Sequence, residues 1–194
     1  MASEEVVEVA VRRHVLTNSQ PFSAVLDGIF SSISRPDIGQ LIRKRGASTS
    51  YEEFRSLVSR AQGGSSLMRF VQLDLDTAFT HDPQARGHAG RRLVRLIAGN
   101  PVTMGEMTRH VPDSGSYAPI TILLEEMRDG ETRVAYDTVA SAIAAYRDAA
   151  ASRVAEQLDT EVLTLLRKVT GARSAVSWPP GGDERRRSFN EEFC

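Results

Sequence analysis

Apolar and polar positions recur along this chain with two periods, and the switches between them mark out the elements. Val7, Val9 and Val11 alternate with Glu8, Ala10 and Arg12, a period of two that predicts a half-buried first strand. Phe22, Val25, Leu26, Ile29 and Phe30 then recur at helical spacing, behind cap-type side chains at residues 17–20 and a proline at 21 suited to a first turn. Arg35-Pro36-Asp37 ends that helix, and Ile38, Leu41 and Ile42 predict one further amphipathic turn before Lys44-Arg45-Gly46. Ser50 and Glu53 form a capping box for a helix that carries Phe54, Leu57, Val58 and Ala61 on one face and stops at Gly63-Gly64.

From Leu67 to Leu75 the period returns to two. Leu67, Val71, Leu73 and Leu75 make one apolar face, broken by Arg69, while Met68, Phe70, Gln72 and Asp74 line the other and look into either a groove or water. Residues 80–91 are polar and patternless, which predicts a loop. The centre of the pattern is Leu93 to Met127. A third strand over 92–98 meets Gly99-Asn100-Pro101, with Asn100 as the N-cap and Pro101 in the first turn of a short helix. Met104, Met107 and Val111 keep helical spacing, and Gly105 weakens that helix by about 1 kcal/mol relative to alanine. A fourth strand runs from Pro119 through Ile120, Ile122 and Leu124, and Arg128 to Glu131 form a tight hairpin turn into Thr132, Val134 and Tyr136. Asp137-Thr138 cap the longest helix, whose apolar positions step by three or four from Ile143 to Val169, with a bend expected at 149–151 and an end at Gly171.

These elements assemble into an α+β architecture of the order β-α-β4-α. It has one largely antiparallel sheet of about five strands, helices packed on one face, and a long C-terminal helix. Residues 1–171 are expected to form a single domain, and 172–194, rich in Pro, Gly and charge, a flexible polar tail. The second face of such a sheet must be solvated, covered by a partner, or curled around a pocket.

Composition narrows the function classes by exclusion. Lys and Arg (24) nearly cancel Asp and Glu (25), so no nucleic-acid partner is predicted. The lone cysteine, Cys194, allows neither an internal disulfide nor a cysteine-based zinc site, and the histidines at 14, 81, 88 and 110 lack metal-ligand spacing. The sequence has no phosphate-binding glycine loop and no nucleophile elbow, and neither a cofactor nor a metal is expected. The opening residues are acidic where a signal peptide is basic, and no apolar run is long enough to span a bilayer, so the expected setting is cytoplasmic, without a membrane partner.

Leu96 to Pro101, the spaced Met104 and Met107, the Arg109-His110 pair and Ala118 to Glu125 together resemble the domain-of-unknown-function 302 family, in its single-domain form. Phe70 to Asp74, Val134 to Tyr136 and Leu158-Asp159 in a two-part closing helix extend the likeness over roughly residues 6–169. The resemblance implies a TATA-binding-protein-like β-α-β4-α fold and no established activity. That family often places a histidine after the aspartate at 74, and this chain has Leu75.

Several residues are candidates for chemistry, each with a plainer reading beside it. Asn100 and the helix start after it suit an anion, or are simply a good cap. Met104 and Met107 suit an apolar pocket, or are the core of a short helix. His110 suits a general base, or closes that helix as a dipole-compatible residue. Asp74 and Glu125 could share a proton or ligand if they face one groove, or could both point to water. The leading expectation is a small hydrophobic metabolite held between sheet and helices near Phe70, Asn100, Met104, Met107 and Tyr117, with isomerisation, cyclisation or cleavage as a further step. The alternative is a non-catalytic module that pairs with itself, as a homodimer, through its free sheet face or an edge strand.

Overall fold

A computed structural model describes residues 2–78 and 90–173. The expected loop therefore lies mainly outside the described residues, and the expected tail almost wholly so. Five strands, β1 (Arg13–Asn18), β2 (Met68–Asp74), β3 (Leu93–Gly99), β4 (Ile120–Glu126) and β5 (Thr132–Asp137), form one sheet in the order β1-β5-β4-β3-β2. Every neighbouring pair is antiparallel. Among the described residues, six α-helices accompany it: α1 (Phe22–Ser32), α2 (Ile38–Gly46), α3 (Tyr51–Gln62), α4 (Pro101–Thr108), α5 (Val139–Ile143) and α6 (Ala149–Thr170).

One sheet face carries the core. Leu16, Val134, Ile122, Leu124 and Leu96 pack against Phe22, Val25 and Ile29 of α1 and Ala155, Leu158, Val162 and Leu166 of α6. Helical spacing on α1 and strand alternation on β4 produce these stripes, and their burial is the main favourable term holding the layers together. α2 and α3 pair beside the start of β2, where Leu41, Val58 and Met68 make a second, smaller core.

Several expectations need correction. The first strand begins at Arg13, not near Val7, and Val7 and Val11 are 44% and 49% exposed. Arg13 pairs with Asp137, the last residue of β5, so the alternating valines before it run past the end of the strand that β1 pairs with. Pro21 occupies the N-cap of α1 without a side-chain cap, because Thr17 and Asn18 lie within β1. The predicted turn at Ile38 is a full helix, capped by Asp37, whose side chain accepts from Gln40 N. In β2, Arg69 pairs with Ala98 and Val71 with Ile97, so Phe70 is the extra residue of a bulge. The bulge reverses the faces beyond it: Val71 and Leu73, expected in the core, are 39% and 40% exposed.

The closing helix is broken rather than bent. After α5 comes a 3-10 turn at Ala144–Tyr146, then Arg147 in the left-handed region (φ 53°), and Asp148 caps α6 by accepting from Ala151 N. A carboxylate deep in α6 bridges the break. Asp159, only 6% exposed, accepts from Val139 N and Ala140 N, the first free N–H groups of α5, both at 2.9 Å, and from the Tyr136 hydroxyl. Burial, then the Asp159 charge and hydrogen bond, push the Tyr136 hydroxyl far above its ordinary pKa.

Candidate functional site

Among the described residues, no helix layer covers the middle of the sheet face opposite the core. Alternation and register place Arg13, Val15 and Thr17 of β1, Arg133, Ala135 and Asp137 of β5, Thr121, Leu123 and Glu125 of β4, Leu93, Arg95 and Ile97 of β3, and Val71 and Leu73 of β2 on it. Val15, Ala135, Leu123, Arg95 and Leu73 form one row of directly opposed residues across all five strands.

Two grooves open on this face. One, of about 370 Å³, is floored by Arg95, Thr121, Leu123 and Ala135, with Tyr117 and Pro119 on one side and Val11, Val139 and Ala142 at its rim. The other, of about 360 Å³, lies where α2 leans toward the sheet. Ile38, Leu41 and Ile42 form one wall, Val71 and Ile97 the floor, and Phe70, Pro101 and Met104 the far end. Pro119 lines both. It sits where it does because Gly99 leaves room for it: a Cβ on Gly99 would lie 3.1 Å from Pro119 Cβ and 3.3 Å from its Cα. The two parts of the sequence signature, the glycine before Asn100 and the proline before Ile120, are thus a packed pair.

The charged groups of the face are mostly spent on one another. Arg13 donates through Nε and Nη2 to both oxygens of Asp137, at 2.6 and 2.7 Å. That hydrogen-bonded pairing raises the Arg13 pKa and, against partial burial, holds the Asp137 carboxyl below the usual carboxylate range. Arg133 reaches Glu125 at 3.4 Å. Arg95 donates through Nη2 to Thr121 Oγ1 at 3.3 Å.

The candidate residues of the sequence are only partly brought together. Phe70 and Met104 line the apolar groove. With Asn100 they also border a pit of about 10 Å³, too small for more than a water. Asn100 Oδ1 accepts from Val102 N at 2.9 Å, and its Nδ2 donates to Gln62 Oε1 at 3.1 Å, so the cap occupies the helix start and ties it to α3. Tyr117 borders the other groove, and Met107 is fully buried in the main core. Asp74 and Glu125 cannot share a groove. Asp74 is opposite Val94 and Glu125 opposite Leu93, neighbours on β3 that point to opposite faces. His110 is exposed after α4 and accepts at Nε2 from Arg109 Nε at 3.2 Å.

Arg95, Ile97, Thr121 and Pro119 were not singled out by sequence reasoning. A signal was present in the alternation Leu93, Arg95, Ile97, which marks an apolar face with one cation in its middle. Among the described residues, no three histidines, cysteines or acids gather as a metal site would need, and no helix is long and apolar enough to cross a membrane.

The comparisons agree with this architecture. No curated protein matches the chain. A solved structure, an uncharacterized conserved protein DUF302 from Bacillus stearothermophilus, is similar with a TM-score of 0.55 at 11% identity, over 81% of this chain and 97% of that one. At that identity the likeness concerns the fold alone. Residues 44–169 match the family described as Domain of unknown function DUF302. That span takes in β2 to β5, α3, α4 and nearly all of α6, together with the Gly99–Pro119 pair, and the chain belongs to that family.

Proposed function

We propose that the protein binds a small, largely apolar molecule in the groove between α2 and the uncovered sheet face. The observation that supports this most directly is the lining. Apart from Arg45, every side chain around that volume of about 360 Å³ is apolar, and Ile42, at 53% exposed, and Val71 stand partly in water. A ligand seated there removes this surface from solvent at roughly 25 cal/mol per Å² of apolar area. Phe70 and Met104, picked out by the sequence, belong to this lining. The lining holds no histidine, cysteine or carboxylate to serve as an acid or base, so binding is proposed at this groove, without isomerisation, cyclisation or cleavage.

A thermal-shift or native mass-spectrometry panel of small hydrophobic molecules tests the reading. A stabilising ligand is expected, with its effect lost in Val71→Asp and Met104→Glu. A panel without a hit, or a hit indifferent to both substitutions, counts against it. A second reading, self-association through the same face, draws on exposed Val15, Val71 and Leu73. Sedimentation across a concentration series, with Leu73→Glu as the control, separates the two.

A further inference from the structure

We propose that the uncovered face takes an amphipathic monocarboxylate, with its carboxylate on Arg95 and its hydrocarbon part in the groove beside α2. This deepens the apolar-groove reading and rests on it. The charges on the strands single out Arg95. Register places three arginines on this face, Arg13, Arg95 and Arg133, against two carboxylates, Glu125 and Asp137. Arg13 holds Asp137 and Arg133 holds Glu125. Arg95 instead has Leu73 and Leu123 directly opposite it on the neighbouring strands, and its hydrogen bond among the described residues is the one to Thr121 Oγ1. A guanidinium with donors to spare, set between leucines, suits a planar anion that can accept two parallel hydrogen bonds.

The geometry also gives the ligand its second half. Ile97 follows Arg95 by two positions on the same face and has Val71 opposite. At about 3.4 Å of rise per residue, a head group on Arg95 lies roughly 7 Å along the strand from the start of the apolar floor. Arg95 lines the first groove, Ile97 and Val71 the second, and Pro119 is a wall of both. Among the described residues, Arg95 is the strand arginine of this face that holds no carboxylate, which matches the one negative charge of a monocarboxylate. A phosphate monoester, carrying about −1.5 to −2 at neutral pH, would be left partly uncompensated.

Calorimetric titration of the full chain with decanoate and with decanol, both as monomers at low salt, tests the assignment. Decanoate is expected to bind about 10-fold more tightly than decanol, the difference that a charge-assisted hydrogen bond supplies. Arg95→Gln should bring decanoate down to the decanol level, Arg95→Lys should restore part of the difference, and Ile97→Asp should remove binding of both. Thermal unfolding of each variant controls for folding. Equal binding of the two ligands, indifferent to Arg95→Gln, overturns the role of Arg95 and leaves the apolar groove standing. Failure of wild type to bind either overturns both readings.

Discussion

The Tyr136 hydroxyl donates to Asp159 Oδ1 within the buried core, linking the end of the last strand to the middle of the last helix, 23 positions on. The same carboxylate closes the N-terminus of α5, so one side chain holds three donors at the corner where the chain leaves the sheet. Asp159→Ala strands these three donors, two of them in buried hydrogen bonds and the third in a part-buried one. A loss of about 3 kcal/mol or more is expected in urea unfolding, since each orphaned buried donor costs roughly 1–3 kcal/mol. Asp159→Asn, which keeps acceptor capacity, is expected to lose less.

Tyr136 also predicts an alkaline limit. Its pKa in the fold lies well above the ordinary 10.0, so from about that pH the unfolded chain releases a proton that the native state keeps. The stability contributed by the neutral hydroxyl is full below pH 10 and declines as the pH rises toward the folded value. Midpoints of urea unfolding measured from pH 8 to 11 should fall in wild type more steeply than in Tyr136→Phe. Parallel curves would contradict this origin.

His14 works in the opposite direction. Burial, then the charges of Arg167 and Arg12, lower its pKa below the ordinary 6.5, with Asp159 opposing. A depressed pKa means that its contribution is present above pH 6.5 and is lost as the pH falls through the folded value. A proton resonance of His14 titrating at or above the ordinary value would refute it.

Gly99→Ala is expected to destabilise by about 1–3 kcal/mol, the usual cost of overpacking. The added methyl would press on Pro119 Cβ and Cα and come within 3.4 Å of Phe70 Cε2. Because Pro119 walls both grooves, a crystal structure of the variant should show the proline displaced. An unchanged Tm would argue that β3 and β4 can separate there freely.

Ser114 is fully buried, and its Oγ finds no hydrogen-bond partner among the described residues. Ser114→Ala removes a hydroxyl whose burial costs free energy, and a gain of about 1 kcal/mol is expected from chemical unfolding. A loss of similar size would reveal a partner for the hydroxyl.

What was legible in the sequence, and what was not, divides along physical lines. Periodicity identified the α+β class, the helices from Phe22 and Tyr51, the Asn100-Pro101 entry to α4, and the alternation of β4 and β5. Each of these depends on a residue and its neighbours within one or two turns, where burial and capping act locally. The family signature was also legible, because its residues are short runs in register. Strand pairing was decided only in the folded chain. It moved the first strand to Arg13, where β5 offers a partner, and inserted Phe70 as a bulge that turned Val71 and Leu73 away from the core. Both outcomes depend on hydrogen bonds to strands far along the chain, which no local period encodes. The same long-range register set leucines rather than carboxylates opposite Arg95 and placed Pro119 against Gly99, a wall of both grooves. Thus the chain alone determined most of the helices and strands, and tertiary pairing decided where the first strand begins and which side of each strand is free to meet a ligand.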